Sequence, residues 1–468
     1  MTEHPVTRAA HDSDIPDALA ADLRTGWAAQ SPLDVTADDI GPYAAKRRAA
    51  LATAFPGETL VIPSGTHKVR ANDTDYPFRA NSAYVWLTGD TEPDGVLVLS
   101  PAGDAVLYLP ARVGRGSSNE FFADRTHGEL WVGRRPDPAE TGARLSLECR
   151  PLAELRLPPG GRVLRGVDAA VDAQVAGDPD RDAQLAQVLA ELRLVKDDWE
   201  VGQLRAATAA TARGFTDALR ERSGALIHGE RWLEGTFWRR ARAEGNDVGY
   251  SSVVACGPHA TVLHWNRNDG AVRDGDLLLL DMGIEVRSLY TADVTRTVPV
   301  DGTYTPDQRR VHELVYAAQQ AGIAAAVPGA AFLAPNRAAM LVLAEGLHDW
   351  GILRTDPHAA LADDGPGAGL HRRYTLHNVS HMLGLDVHDC AQARRQHYHD
   401  GLLESGMVLT VEPGLYFQPD DLTVPPELRG LGVRIEDDIL ISGDGPVNLS
   451  DQLPSDAYGI EAWMATLR

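Results

Sequence analysis

Two aspartates flank a predicted hairpin, where their carboxylates could bind a cation. Four leucines precede Asp281, which predicts a buried strand with this carboxylate at its tip. In the following segment, alternation places Asp293, Thr295 and Thr297 on one face. Two carboxylates that meet across a hairpin repel each other unless a cation lies between them or one is protonated. A metal explains the pair economically, but a turn-capping role explains either aspartate alone at least as well.

Three histidines fall within twelve residues, at His377, His381 and His388. Neutral imidazole is a common ligand of divalent metals, and an imidazole beside a metal can donate a proton or hydrogen bond to a reacting oxygen. One histidine in such a segment is usually structural, whereas three favour a functional site.

Two glutamates lie in apolar segments that resemble strands. Glu412 precedes Pro413, which favours extended backbone, and Glu436 follows an isoleucine. Glutamate is almost never buried without a partner, so both are candidate ligands. Asp437 and Asp438 come directly afterwards, and we interpret them as surface acids.

The candidate ligands are four carboxylates and one imidazole: Asp281, Asp293, Glu412, Glu436 and His381. Four carboxylates balance two divalent cations when the imidazole is neutral. An oxygen-rich set with one nitrogen favours Mn(II), with Co(II) or Zn(II) as alternatives. A hydroxide bridging two such cations would be a nucleophile at neutral pH, because each cation lowers the pKa of bound water.

The elements that position these residues indicate a mixed α/β (α+β) chain of two domains, 1–190 and 191–468, with a lead-in over about the first 40 residues. In the first domain we predict a helix at 43–55 and strands at 59–62, 83–87, 95–99 and 105–109. In the second we predict an amphipathic helix near 199–219 and a helix that begins with a capping box at Thr305 and Gln308. Strands at 275–283, 293–300, 407–413 and 432–442 carry the candidate ligands.

Composition excludes several other classes of protein. The formal net charge of -22 opposes binding to nucleic acid or to an anionic membrane. No segment approaches the ~20 apolar residues of a membrane span. Three widely spaced cysteines, Cys149, Cys256 and Cys390, support neither a disulfide framework nor a thiolate zinc site. We therefore expect a cytoplasmic protein.

The motifs around these residues resemble those of the pita-bread metallopeptidases, and within them the aminopeptidase P group. The similar segments are Asp-x-Gly, Asp-x-Thr-Arg-Thr, His-x-x-Gly-Leu-Asp-Val-His-Asp, Val-Glu-Pro-Gly and Arg-Ile-Glu-Asp. The resemblance implies an N-terminal creatinase/aminopeptidase-P-like α/β lobe and a C-terminal pita-bread catalytic domain. It assigns the same five metal ligands, and it adds His264, His377, His388 and Arg434 as catalytic residues beside them.

Two further segments bear on this resemblance. Residues 72–79 and 82–89 are similar to the N-terminal lobe of aminopeptidase P and prolidase, which methionine aminopeptidases lack. Asp281 and Asp293 are twelve residues apart, whereas the family usually has eleven. We expect a compensating bulge near 288–291 that keeps both aspartates as ligands.

The resemblance implies hydrolysis of the bond between an N-terminal residue and a proline at the second position of a peptide. His264 and His388 would stabilise the oxyanion, Glu412 would carry a proton to the proline nitrogen, and His377 and Tyr416 would wall the proline pocket. The nearest alternative is a prolidase, which cleaves only dipeptides. A silent binding protein and a metal-independent creatine-type amidinohydrolase are also alternatives, but the complete ligand set disfavours them. Relatives commonly form homodimers or homotetramers.

Overall fold

The computed structural model describes residues 13–112, 114–116, 118–158 and 160–467. The chain forms two compact units that divide between Leu189 and Ala190. The first twelve residues of the predicted lead-in lie outside the described residues, and the remainder contains helix α1 (Asp17–Asp22). Within the described ranges, no helix has both the length and the apolar character needed to cross a bilayer.

The N-terminal unit contains a mixed five-stranded sheet in the order β6-β5-β4-β1-β7. Its elements after α1 are α2 (Gly41–Ala54), β1 (Leu60–Pro63), β2 (Val69–Ala71), β3 (Thr74–Asp75), α3 (Ser82–Thr88), β4 (Val96–Leu99), β5 (Ala105–Leu109), α4 (Glu120–Ala123), α5 (Glu129–Val132), α6 (Pro138–Leu145), β6 (Glu148–Pro151), β7 (Arg162–Val163), α7 (Ala169–Asp172) and α8 (Pro179–Leu192). Strand β4 runs antiparallel to β1 and β5, while β7 and β6 run parallel to their neighbours.

The strand predicted at 83–87 is wrong, because these residues belong to helix α3. The Asn81 side chain caps the helix by accepting hydrogen bonds from the N–H groups of Ala83 and Tyr84. Gly89 ends the helix with a φ of 79°. Every residue of α3 is buried, so the sequence carries no polar face from which a helical period could be recognised.

The C-terminal unit carries all of the candidate site residues. Its elements are α9 (Asp198–Arg220), α10 (Arg222–His228), α11 (Glu230–Glu244), β8 (Asp247–Val248), β9 (Val253–Cys256), β10 (Leu277–Asp281), β11 (Ile284–Glu285), β12 (Thr295–Pro299), α12 (Pro306–Ala325), α13 (Ala334–Asp349), α14 (Pro357–Leu361), β13 (Val408–Val411), β14 (Gly414–Tyr416), β15 (Gly432–Arg434), β16 (Asp437–Ser442), β17 (Gly445–Asn448) and α15 (Ala457–Thr466). The predicted capping box of Thr305 and Gln308 is confirmed at the start of α12.

Small antiparallel sheets carry the site, in the orders β12-β10-β9, β13-β16-β17, β14-β15 and β11-β8. An isolated bridge between Thr295 and Glu436 joins the segments that lead into β12 and β16. One cluster of buried apolar side chains packs α9, α11, α12 and α13 against strands β10, β12, β14 and β15. The strands that carry the site residues therefore pack against these helices through buried apolar side chains.

One buried histidine behind the site makes the fold sensitive to acid. His312 of α12 is fully buried, and neither of its ring nitrogens has a hydrogen-bond partner within the described ranges. Burial, reinforced by the charge of Arg296, lowers the pKa of His312 to about 3. In the unfolded chain a histidine has a pKa of about 6.5. The unfolded state therefore binds more protons, and stability falls as pH drops below about 6.5 towards 3.

We expect the His312→Phe variant to lose less stability than the parent protein between pH 7 and pH 5, by about 1–2 kcal/mol. Urea unfolding of both proteins at the two pH values measures the difference. The matched control is His358→Phe, because His358 is exposed on α14. An equal loss of stability in the parent protein and the His312 variant would show that His312 is not the acid-sensitive group.

Candidate metal centre

The hairpin formed by β10 and β12 directs the two aspartates to one face. Asp281 lies opposite Thr295 in the ladder, and the N–H of Met282 donates to the carbonyl of Val294 at 3.1 Å. Asp293 is therefore opposite Gly283, two residues beyond Asp281. Because alternate residues share a face, both carboxylates point to the same side of the hairpin.

The turn of this hairpin accommodates the twelve-residue spacing. The N–H of Leu289 donates to the Val286 carbonyl at 2.8 Å, and the N–H of Val286 donates to the Tyr290 carbonyl at 2.9 Å. Leu289 has a φ of 67°, as the last residue of a three-residue hairpin loop commonly does. Leu289 lies within the interval where a bulge was expected, and the strand pairing is regular from Leu277 up to the turn.

Gly283 allows the hairpin strands to approach each other closely. A Cβ atom at this position would lie 1.8 Å from the carbonyl oxygen of Ala292 and 2.9 Å from the Tyr250 ring. We expect Gly283→Ala to separate the strands and misplace the aspartates, with at least a hundredfold loss of peptide hydrolysis. The Gly235→Ala variant is the control, because a Cβ there meets nothing within 4 Å. Equal activity and equal metal content in the two variants would contradict this role for the hairpin.

His381 and Glu412 lie on neighbouring antiparallel segments. The N–H of Thr410 donates to the His381 carbonyl at 3.0 Å, and the N–H of Glu412 donates to the Val379 carbonyl at 2.8 Å. The His381 Nε2 atom lies 3.3 Å from Asp293 Oδ2 and 3.6 Å from Glu412 Oε1. Its Nδ1 atom lies 3.2 Å from the Met382 carbonyl oxygen. Donation from Nδ1 to this carbonyl leaves the Nε2 lone pair directed at the carboxylates, as a metal ligand requires.

Glu436, the last of the five candidate ligands, lies between strands β15 and β16. Its backbone N–H donates to the Thr295 carbonyl at 3.1 Å, and the Thr295 hydroxyl donates to Glu436 Oε2 at 2.6 Å. Ligand atoms of Asp293, His381 and Glu436 all lie within 4.8 Å of one another. The single strand predicted at 432–442 is wrong, because the chain forms two strands with Glu436 between them.

The interpretation of Asp437 and Asp438 as surface acids is wrong. Both are completely buried. Asp437 Oδ1 accepts a hydrogen bond from the buried Arg296 at 2.7 Å, and Asp438 Oδ2 accepts one from the Asp293 N–H at 3.2 Å. These two residues therefore hold the strands that carry the candidate ligands.

Buried negative charge dominates the cavity. Burial is the largest cause that raises the pKa of Asp281, of Glu412 to about 7, and of Glu436 well above its ordinary value. Burial lowers the pKa of His381, but Asp293 and Glu412 raise it to about 9. Carboxylates so close together are costly to bury unless cations accompany them. The residues therefore fit divalent metal ions, which would keep the carboxylates ionised.

A network beside the carboxylates fixes Tyr416 and His377. Arg434 donates from Nε to Thr295 Oγ1 at 3.2 Å, from Nη1 to the Tyr416 oxygen at 3.0 Å, and from Nη2 to Asp281. The Tyr416 hydroxyl lies 2.7 Å from His377 Nε2. Burial and the charge of Arg434 lower the pKa of His377 to about 4, so this imidazole is neutral and accepts from the tyrosine.

The nine predicted ligand and catalytic residues line one cavity of about 410 Å³: His264, Asp281, Asp293, His377, His381, His388, Glu412, Arg434 and Glu436. Tyr416, which was predicted to wall the proline pocket, is buried and is not among the lining residues. The ring of His388 lies edge-on to that of His381, with centroids 4.4 Å apart. Burial, followed by the charge of His381, lowers the pKa of His388. His388 is therefore a neutral imidazole in the same cavity as the four carboxylates of the candidate ligands.

Sequence reasoning missed two residues that support the site. The hydroxyl of Tyr250 donates to Asp281 Oδ1 at 2.7 Å and lines the cavity. Glu230 is completely buried at the start of α11, and it anchors the loop that carries His264. Its carboxylate accepts from the N–H groups of Cys256 and Gly270, the His259 ring and the Trp265 indole, at 2.7–2.9 Å. No motif marks either residue, since their partners are distant in sequence.

Comparison with known proteins gives two family matches. Residues 202–443 match the metallopeptidase family M24, and residues 44–156 match the N-terminal domain of aminopeptidase P. The chain is 53% identical over 461 residues to Xaa-Pro aminopeptidase 2 of Streptomyces coelicolor, with 96% of each chain covered. It is 50% identical over 484 residues to Xaa-Pro aminopeptidase 1 of the same organism, covering 100% of this chain and 96% of the relative.

Solved structures agree with these matches. The structure of Escherichia coli aminopeptidase P with the inhibitor Pro-Leu has a TM-score of 0.79 and 30% identity, covering 92% of this chain and all of that one. An aminopeptidase of Pseudomonas aeruginosa gives a TM-score of 0.79 and 29% identity, covering 91% of this chain and 98% of that one.

Proposed function

The chain belongs to metallopeptidase family M24, and on that premise we propose that it hydrolyses the bond between an N-terminal residue and a proline at the second position of a peptide. One observation carries this proposal. A single cavity brings together four carboxylates and four histidines, beside a tyrosine that is hydrogen-bonded to one of these histidines. The match of the N-terminal unit to aminopeptidase P adds independent support, since the catalytic family alone does not select proline.

Two divalent metal ions would be held by the five candidate ligands. When bound, such ions polarise a carbonyl oxygen and lower the pKa of water, so that hydrolysis proceeds at neutral pH. Manganese is our first choice, because four of the five donors are carboxylates and one is an imidazole. Elemental analysis of purified protein distinguishes manganese from cobalt and zinc.

The other side chains have distinct roles in the proposed reaction. His264 and His388 line the cavity but are not among the five candidate metal ligands, so they would donate hydrogen bonds to the developing oxyanion. Glu412 would carry a proton to the departing proline nitrogen, because its carboxylate lines the same cavity as the other candidate ligands and can accept a proton there.

The proline ring is assigned to the part of the central cavity lined by His377, whose imidazole is held by the buried Tyr416. Their side chains are joined by a hydrogen bond of 2.7 Å, and Arg434 fixes the tyrosine from its other side. A preorganised wall of this kind favours a rigid ring over a flexible side chain, because little conformational entropy is lost on binding.

Three substrates test the proposed function. Metal-loaded protein should hydrolyse Ala-Pro-Leu, with a kcat/KM at least a hundredfold above that for Ala-Ala-Leu. The dipeptide Ala-Pro separates this function from that of a prolidase, the alternative that the named relatives disfavour. Hydrolysis of Ala-Pro but not of Ala-Pro-Leu would contradict the proposal, and no hydrolysis of any of the three would favour a silent binding protein.

Two further properties complete the proposal. Cys149, Cys256 and Cys390 are free thiols, which supports a reducing compartment, so the protein is assigned to the cytoplasm. A homodimer or homotetramer is proposed from the family resemblance alone. Fractionation of cells and sedimentation equilibrium of the purified protein test these two assignments.

A further inference from the structure

A second cavity adjoins His377, the residue assigned to the proline ring. Its volume is about 330 Å³, and His377 lines both this cavity and the central one. Helix α13 contributes Asn336 and Arg337, and the segment after α14 contributes Asp363 and Arg372. We take His377 as the point where the two cavities adjoin.

The second cavity is cationic, in contrast to the central one. Asp363 is the one carboxylate among its lining residues, whereas Arg337 and Arg372 both contribute guanidinium groups. Arg337 is exposed, and its guanidinium has no hydrogen-bond or ion-pair partner in the part of the chain that the structure describes. Arg372 donates from Nη2 to the Leu376 carbonyl at 3.0 Å and keeps its other N–H groups available. Guanidinium groups bind carboxylates through charge-assisted, often paired hydrogen bonds.

The central cavity is lined by four carboxylates, and Arg434, the one arginine among its lining residues, is buried and pairs with Asp281. All three nitrogens of the Arg434 guanidinium group donate to protein oxygens, those of Thr295, Tyr416 and Asp281. His377 lies within hydrogen-bond distance of Tyr416 and of the Asn378 carbonyl oxygen through its two ring nitrogens. Arg337 and Arg372 line the cavity that shares His377 with the central one. One extended residue spans about 3.5 Å, so each residue that follows the proline extends the peptide by about that length.

We propose that this second cavity binds the C-terminal carboxylate of short peptides, one or two residues after the proline, through Arg337 and Arg372. This inference rests on the proposed function and adds the part of the substrate that the site recognises beyond the scissile bond. It makes tripeptides and tetrapeptides with a free carboxylate better substrates than their amides. It predicts a preference for tripeptides over Xaa-Pro dipeptides, whose carboxylate is on the proline itself.

The test compares Ala-Pro-Leu with its C-terminal amide on metal-loaded protein. We expect the free acid to have a KM about five- to tenfold lower than the amide, at similar kcat. The double variant Arg337→Gln/Arg372→Gln should raise the KM of the acid to that of the amide and leave amide hydrolysis unchanged. Arg354→Gln is the matched control, because Arg354 is exposed but does not line the cavity.

The outcomes separate this inference from the proposed function. Equal KM values for acid and amide in the parent protein would overturn the carboxylate site while leaving the peptidase intact. If the double variant still preferred the free acid of Ala-Pro-Leu over its amide, the assignment to these arginines would be overturned. An equal loss of hydrolysis of the acid and of the amide would overturn it as well. Failure of the parent protein to hydrolyse either substrate would instead contradict the proposed function, on which the inference depends.

Discussion

The Glu412→Gln variant is expected to hydrolyse Ala-Pro-Leu at least a thousandfold more slowly than the parent protein. Glutamine is close in size to glutamate, but it cannot ionise, and it offers a cation only one neutral oxygen. The change removes one of the four negative charges that would hold the cations. It also removes the proposed proton carrier to the proline nitrogen. Turnover at saturating substrate, measured with the metal content of the same sample, gives the result.

Glu404→Gln is the matched control, because Glu404 is exposed and lies eight residues earlier in the chain. It should retain full activity and full metal content. If the Glu412 variant kept near-parental turnover at equal metal loading, Glu412 would be neither a ligand nor the proton carrier. Normal metal content with lost turnover would assign it the proton-transfer role alone.

The His388→Ala variant is expected to bind metal almost normally and yet to lose turnover by a factor of about a hundred to a thousand. His388 lies beside His381, with ring centroids 4.4 Å apart, and is not one of the five proposed ligands, so its loss leaves the carboxylates in place. The removed hydrogen bond acts on the oxyanion, which forms only in the transition state. kcat should therefore fall much more than KM changes.

Two measurements on His388→Ala separate catalysis from metal binding. Titration calorimetry with Mn(II) gives the affinity, and steady-state kinetics at saturating metal gives kcat. A large loss of affinity whose kinetic effect is reversed by excess metal would make His388 a ligand. His358→Ala, on the exposed face of α14, controls for the loss of an imidazole.

Local signals in the sequence were sufficient for much of the fold and for the positions of the candidate ligands. The leucine run before Asp281 predicts β10, and Thr305 with Gln308 predicts the start of α12, because strand burial and helix capping depend on neighbouring residues. The predicted fold class, an N-terminal aminopeptidase-P-type lobe followed by a pita-bread domain, is confirmed by the family and structural matches.

The errors concern features that only long-range contacts determine. Asp437 is buried because Arg296, more than a hundred residues earlier, donates to its carboxylate. Helix α3 resembles a strand in sequence because both of its faces are buried. The second cavity could not be predicted either, since Arg337 and Arg372 come together only when α13 packs near the segment after α14.

The central claim is that this chain is a dinuclear-metal peptidase built on Asp281, Asp293, His381, Glu412 and Glu436. The most direct test removes metal with a chelator and then adds Mn(II) stepwise, while bound metal and Ala-Pro-Leu hydrolysis are measured on the same samples. A centre of two ions predicts no activity at zero occupancy and full activity as occupancy approaches two ions per chain. Full activity in the stripped protein, or activity independent of occupancy, would contradict it.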